Sequence, residues 1–294
     1  MKICGKARTY VRSILFLLTT AIFASSLEAK THLKIAVGDS RIEGAFNRWN
    51  AATPWEKIDQ YKNPDAIRPV IDLILELQTL KAGGLDFDFE LVVYPGYERS
   101  KLESMQGHSD LSAETIWDRE IKSHGFDLLK TDPIIRIGEF EKGLYVLSTN
   151  EAALKVTGID DLKNLVGAIP APWGLDVELL EQLHPKNIEK PARIENVFLM
   201  IEKGRADFTL QEFSSKPDLS IEANGVRLVP IPNCKVAIND NRSWYVAKSV
   251  PNSAEIFAAL EKGIKILRSE GRYEKAYKDS GFISAATASW KRLK

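Results

Sequence analysis

A strand–helix–strand pattern, met twice along the chain, most constrains the fold. Leu33-Lys34-Ile35-Ala36-Val37 alternates apolar and polar residues and runs into the turn Gly38-Asp39-Ser40, which marks a first strand. Asn63-Pro64 supplies a cap with proline in the first turn. Ile67, Val70, Ile71, Ile74 and Leu77 then recur at helical spacing as far as Gly83-Gly84. Phe87, Phe89, Leu91 and Val93 alternate with Asp88 and Glu90, so a strand follows that helix. Leu165–Ile169 begins the second instance, helices are expected over Leu175–Leu183 and Ile194–Ile201, and Ala206–Leu210 closes it as a strand. Alternation of this kind builds α/β sheets.

Between and after these regions, Gly143–Leu147 and Trp244–Ala247 read as strands able to carry the chain across. Ile256, Phe257, Leu260, Ile264 and Leu267 mark a C-terminal helix. The stretch from Arg41 to Lys62 shows no clear period and holds Trp49, Trp55 and Tyr61. A loop of that length is usually functional or disordered, and its aromatics either close over a ligand or pack the loop down.

Residues 1–29 read as a leader. Lys2, Lys6, Arg8 and Arg12 precede an apolar run from Ile14 to Ala24, and Ser25–Ala29 offers small residues for cleavage, with Ala24-x-Ser26 as a second site. The apolar run falls short of the roughly 20 residues that span a bilayer. Export is therefore expected, with the protein working in the periplasm. Removing this segment takes away four basic residues and one acid, leaving 36 basic and 39 acidic residues and a net charge of −3. No basic surplus or Lys/Arg block directs such a chain to nucleic acid or an anionic membrane. Cys4 leaves with the leader, so Cys234 is alone and no internal disulfide can form. The four histidines show no metal-ligand spacing, and there is no Gly-rich phosphate loop or Gly-x-Ser-x-Gly elbow. Catalytic residues, metal and cofactor are accordingly not expected.

Several short motifs follow one another in a telling order. Gly107-His108-Ser109-Asp110 precedes Thr115-Ile116-Trp117-Asp118-Arg119 and Thr131-Asp132-Pro133-Ile134. Next come Ile159-Asp160-Asp161-Leu162-Lys163-Asn164-Leu165-Val166-Gly167, then Gly204-Arg205-Ala206-Asp207, and finally Leu267-Arg268-Ser269-Glu270-Gly271-Arg272-Tyr273. In this order they resemble the type 2 periplasmic solute-binding proteins, particularly the amino-acid receptors of ABC transporters, over nearly all of the chain after the leader. The resemblance implies an α/β, two-lobed fold with two crossover segments, near 143–149 and 241–247, and a ligand cleft between the lobes. Lobe one would comprise 30–143 and 247–294, and lobe two 144–246.

The same resemblance implies a monomer that captures a small polar, amino-acid-like ligand by hinge closure and delivers it to an ABC transporter permease. A ligand-sensing module for a membrane sensor is the alternative, and a few relatives of this fold are dehydratases with a carboxylate in the cleft. By position Arg119 would fork onto a ligand carboxylate, as guanidinium geometry favours. Glu212, five residues after Asp207, would receive the ligand ammonium. The family's two hydroxyl positions before the arginine hold Glu114 and Ile116 here, with Thr115 between them, and a carboxylate at Glu114 would repel an anionic group or prefer a cationic one. Pro170-Ala171-Pro172-Trp173-Gly174 lies where a helix N-terminus could receive an anion, or where Trp173 could stack on the ligand. Trp117 and Tyr97 are further aromatic candidates.

Overall fold

The computed structural model describes Met1 and residues 30–294, so the expected leader lies outside the described residues apart from Met1. The first sheet is built from β1 (Thr31–Val37), α1 (Ser40–Ala52), α2 (Arg68–Gly83), β2 (Phe87–Val93), α3 (Tyr97–Met105) and β3 (Leu111–Ser112). β1 is its centre, parallel to β2 along its whole length and to β3 over Ile35–Ala36. The chain continues through β4 (Ile116–Trp117), α4 (Asp118–Ser123) and β5 (Leu128–Lys130), then leaves this sheet.

A second sheet follows, from β6 (Glu141–Leu147), α5 (Glu151–Leu154), β7 (Val166–Ala168), α6 (Gly174–Gln182), β8 (Asn187–Glu189), α7 (Ile194–Glu202), β9 (Phe208–Glu212), β10 (Ile221–Ala223) and β11 (Val226–Ala237). Its order is β10-β11-β6-β9-β7-β8, with β6 antiparallel to both β9 and β11. The chain then returns as β12 (Arg242–Ser243) and β13 (Tyr245–Ala247), which pair antiparallel with β4 and β5. α8 (Ser253–Ser269) and α9 (Arg272–Asp279) complete the first lobe, and β14 (Lys291–Arg292) adds to β11.

The passages between sheets run side by side at 136–140 and 238–241. Ile134 N–H and Ile135 N–H still donate to the Arg242 carbonyl on the first-lobe side, and Ile238 N–H donates to the Phe140 carbonyl at 3.1 Å. The expected crossings at 143–149 and 241–247 fall on the flanking strands instead. The apolar runs at those positions are ladder strands, whose faces need burial in a sheet.

Two further elements differ from expectation. Arg41–Lys62 is largely helical: Asp39 caps α1 by accepting the Arg41 N–H at 2.8 Å, and Ile42, Ala45, Phe46 and Trp49 bury one face. Trp55 stacks on Phe87 with centroids 5.8 Å apart, and Tyr61 is fully buried, so these aromatics pack the segment down. α2 starts at Arg68, later than Asn63-Pro64 suggested. Pro69 sets that limit: it fits a first turn, whereas inside an earlier helix its missing N–H and its ring would break the ladder.

α2 crosses α8 with backbone in contact. A methyl at Gly83 would sit 2.0 Å from the Ala259 carbonyl oxygen, and one at Gly263 would sit 1.9 Å from that of Thr79. Since backbone cannot yield cheaply, Gly263→Ala is expected to cost about 1–3 kcal/mol of stability, seen as a lower Tm in thermal unfolding. Gly44→Ala meets only the flexible tip of Arg48 and should unfold at or above the parent's temperature. Equal melting of all three proteins would contradict this packing.

Candidate functional site: a charged cluster between the sheets

α2 is buried on every side from Val70 to Leu80, yet it carries Asp72 and Glu76. Buried carboxylates need partners. Asp72 has four: it accepts from Arg68 Nη1 at 2.7 Å, from the Thr115 N–H at 3.1 Å, from Thr115 Oγ1 at 2.8 Å and from the Tyr277 hydroxyl at 2.7 Å. Arg68, at the first turn of α2, reaches further. Its Nη2 donates to Glu114 Oε2 at 3.0 Å, and its Nε donates to Glu212 Oε1 at 2.9 Å. Glu114 belongs to the β3–β4 loop and Glu212 ends β9 of the second sheet, so a guanidinium with an 8% exposed side chain joins the two lobes.

Other cations line the same region. Arg242 donates from Nε to Thr115 Oγ1 at 3.0 Å and lies 4.5 Å above the Trp117 ring. Lys142 pairs with Asp176 at the start of α6 and stands opposite Glu212 on the neighbouring strand. Its Nζ is 5.5 Å from the Phe140 ring and 5.1 Å from that of Trp173. Phe140 comes from an inter-sheet passage, is buried against Trp117 at 4.8 Å, and also faces Arg242 at 5.3 Å. Cation–π contact at both, with the Asp176 carboxylate at Lys142 and the Thr115 oxygens at Arg242, offsets the water these cations lose.

The two glutamates answer burial differently. Burial would lift Glu212, but Arg68 and Lys142 overcome it and hold the carboxyl below its usual range. For Glu114 burial wins over Arg68 and Arg242, and the carboxyl is raised. Burial also opposes the charge on Arg68, but Glu212, Asp72 and Glu114 keep it well above its ordinary value.

Beside the cluster lies a cavity of about 270 Å³ whose wall includes Arg119, Leu175, Glu178, Leu179, Ile238 and Arg292. In it Arg119 of α4 in the first lobe faces α6, Ala237 and Arg292 of the second sheet, between residues of both passages.

The sequence candidates fall into three places. Glu114, Thr115, Trp117 and Glu212 belong to the cluster, with Trp173 at its edge over Lys142. Arg119 lies on the cavity wall; its side chain is 54% exposed and pairs with Glu178 at 2.6 Å, so it and Glu212 have different partners. Tyr97 is half-buried within the first lobe, where its hydroxyl donates to Glu120 at 3.2 Å. Sequence reasoning missed Arg68, Asp72, Lys142, Asp176 and Arg242. The available signal was Asp72, an acid set in the apolar run of α2, which burial obliges to find a cation. Among the described residues no group of three or more His, Cys, Asp or Glu is arranged to hold a metal ion. No described helix is long and apolar enough to cross a membrane.

No protein-family model matches the chain, and no curated protein matches it in sequence at a significant level. Solved structures do match. A probable amino-acid ABC transporter extracellular-binding protein of Bacillus subtilis, YtmK, aligns at 13% identity over 85% of this chain and 97% of its own, with a TM-score of 0.57. The chain has the two-lobed type 2 periplasmic binding protein fold. The periplasmic VFT2 domain of Bordetella pertussis BvgS has this fold too, at 15% identity over 86% of this chain and 93% of its own, TM-score 0.55. So does the ancestral amino acid-binding protein AncCDT-1, a precursor of cyclohexadienyl dehydratase, at 16% identity over 85% and 94%, TM-score 0.51. At such identities the likeness is one of fold. Within this binding-protein fold, the charged cluster and the cavity lie where the two lobes meet.

Glu76 gives a direct check on the interior next to the cluster. Neither of its carboxyl oxygens has a hydrogen-bond partner, and burial, helped by Asp72, holds the carboxyl well above its usual range. The folded state thus keeps a proton that the unfolded chain releases above the ordinary carboxylate pKa, so stability falls as pH rises from there. Glu76→Gln is expected to gain on the parent by about 1 kcal/mol per pH unit above roughly pH 5, up to the raised folded pKa, in urea unfolding. A gap that stays constant from pH 5 to 8 would contradict this.

Proposed function

We propose that the protein captures a small polar, amino-acid-like ligand between its lobes by hinge closure, in the periplasm and as a monomer, for an ABC transporter. The observation that carries this reading is the cavity walled by α4, α6 and both inter-sheet passages, since only a site built from both lobes can be completed or opened by their motion. The moving bodies are 30–135 with 242–279, and 141–237 with β14, hinged near 136–140 and 238–241. YtmK, a probable amino-acid transporter component, supports the transport assignment. Arg119 is the carboxylate fork of this reading: it is exposed on the cavity wall, and a ligand carboxylate would replace Glu178 as its partner. Trp117, Trp173, Glu114, Thr115 and Glu212 form the charged and aromatic floor beside it, whereas Tyr97 is held on Glu120 within the first lobe. No cofactor enters the binding step.

A sensory role is the second reading, supported by the BvgS domain, in which the same closure would be relayed to a membrane partner. A third is a cleft dehydratase, with the raised carboxyl of Glu114 beside Arg68 as its proton donor; the likeness to AncCDT-1, a precursor of cyclohexadienyl dehydratase, supports keeping it.

Mass spectrometry of the molecule that co-purifies with the natively produced protein supplies the ligand for titration calorimetry. Arg119→Ala should bind it at least about thirtyfold more weakly, the usual effect of removing one partner of a desolvated charged contact. Parent-like affinity in a folded Arg119→Ala protein would overturn the fork. Recovery of an altered molecule after incubation would favour the enzyme reading.

A further inference from the structure

Arg68 is fully engaged by this chain's own carboxylates. Nη1 meets Asp72, Nη2 meets Glu114 and Nε meets Glu212, at 2.7, 3.0 and 2.9 Å. Asp72 and Glu114 come from the first lobe, as Arg68 does, and hold the guanidinium in a fixed orientation, whereas Glu212 comes from the second. Among the described residues, two other ion pairs also cross between the lobes, Arg119–Glu178 and Arg41–Glu195. Their arginines are 54% and 68% exposed, so water and salt screen them and they hold little. The Arg68–Glu212 link is better shielded, with side chains 8% and 29% exposed. Lys142, opposite Glu212 on β6, is committed to Asp176 and does not replace Arg68.

We propose that Arg68 is a resident cationic occupant of the subsite between Glu114 and Glu212, and that this occupancy latches the lobes together. The proposal rests on the reading that the lobes move. A planar, forked cation suits the subsite because two carboxylates from different elements accept from different nitrogens of one group. A free cationic compound then finds the subsite taken and enters only when Arg68 is removed. A ligand taken into the neighbouring cavity does not need to supply the link that holds the lobes shut.

Spin labels on exposed Lys57 in the first lobe and exposed Lys186 in the second, each replaced by cysteine, report lobe separation by pulsed electron resonance. In the ligand-free protein the short distance should dominate over a minor longer one, the open state through which a ligand enters before the lobes close again. Glu212→Gln keeps Arg68 paired with Asp72 and Glu114 but cuts the link between lobes, and the population of longer distances should rise about tenfold or more. Arg68→Ala should open likewise, and ethylguanidinium at millimolar concentration should restore the short distance in Arg68→Ala but not in Glu212→Gln. If Arg68→Ala fails to fold, Glu212→Gln alone decides. A Glu212→Gln distribution identical to the parent's, or no rescue of an open Arg68→Ala protein, overturns the proposal. Calorimetric binding of the co-purified ligand to the parent separates the two levels: binding that survives while the latch result fails leaves the proposed function standing.

Discussion

One buried guanidinium organises the centre of this molecule. Arg68 gathers Asp72 from its own helix, Glu114 from the β3–β4 loop and Glu212 from the second sheet. Taking these charges out of water is expensive, and the arrangement is tolerable because each carboxylate accepts from Arg68 and Asp72 accepts three further hydrogen bonds, from Thr115 and Tyr277. Asp72 in turn orients Thr115 and Tyr277, and Thr115 orients Arg242 over Trp117. The start of α2, the loop carrying the site and the passage through Phe140 are therefore placed together. Breaking a pair of this kind from one side commonly costs about 3–5 kcal/mol, because the remaining charge stays buried.

The cluster also explains a division of labour near the lobe boundary. Its charges are mutually satisfied, while the neighbouring cavity presents Arg119 with an exposed and exchangeable partner, Glu178. A tight internal network can keep the relation between lobes defined, and a looser rim can exchange its partner for a ligand. α6 serves both, offering Asp176 to Lys142 at its first turn and Glu178 to Arg119 further along.

Much of the architecture was legible because strand alternation and helix periodicity are local properties. β1, β2, β6, β9 and α8 lie within a few residues of where apolar spacing put them. α1 was missed because Arg41, Glu43 and Arg48 break up its apolar stripe, although Ile42, Ala45, Phe46 and Trp49 do recur at helical spacing. The site was legible only in part, for a different reason. Glu114, Thr115, Trp117 and Glu212 occupy motif positions, and the structure gathers them in one cluster. Arg68 and Arg242 match no motif, and what makes them important is pairing across 144 and 127 positions of sequence, which no local pattern records.

The central claim is that ligand binds where both lobes and both passages meet, and the most direct measurement is a crystal structure of the protein isolated from its native compartment with its ligand retained. The account predicts density for a small polar molecule in the cavity between α4 and α6, with a carboxylate within hydrogen-bond distance of Arg119 and contacts to both sheets. Density confined to one lobe, for example in the surface groove between Asp132 and Arg268, with the region around Arg119 and Glu178 unchanged, would contradict it.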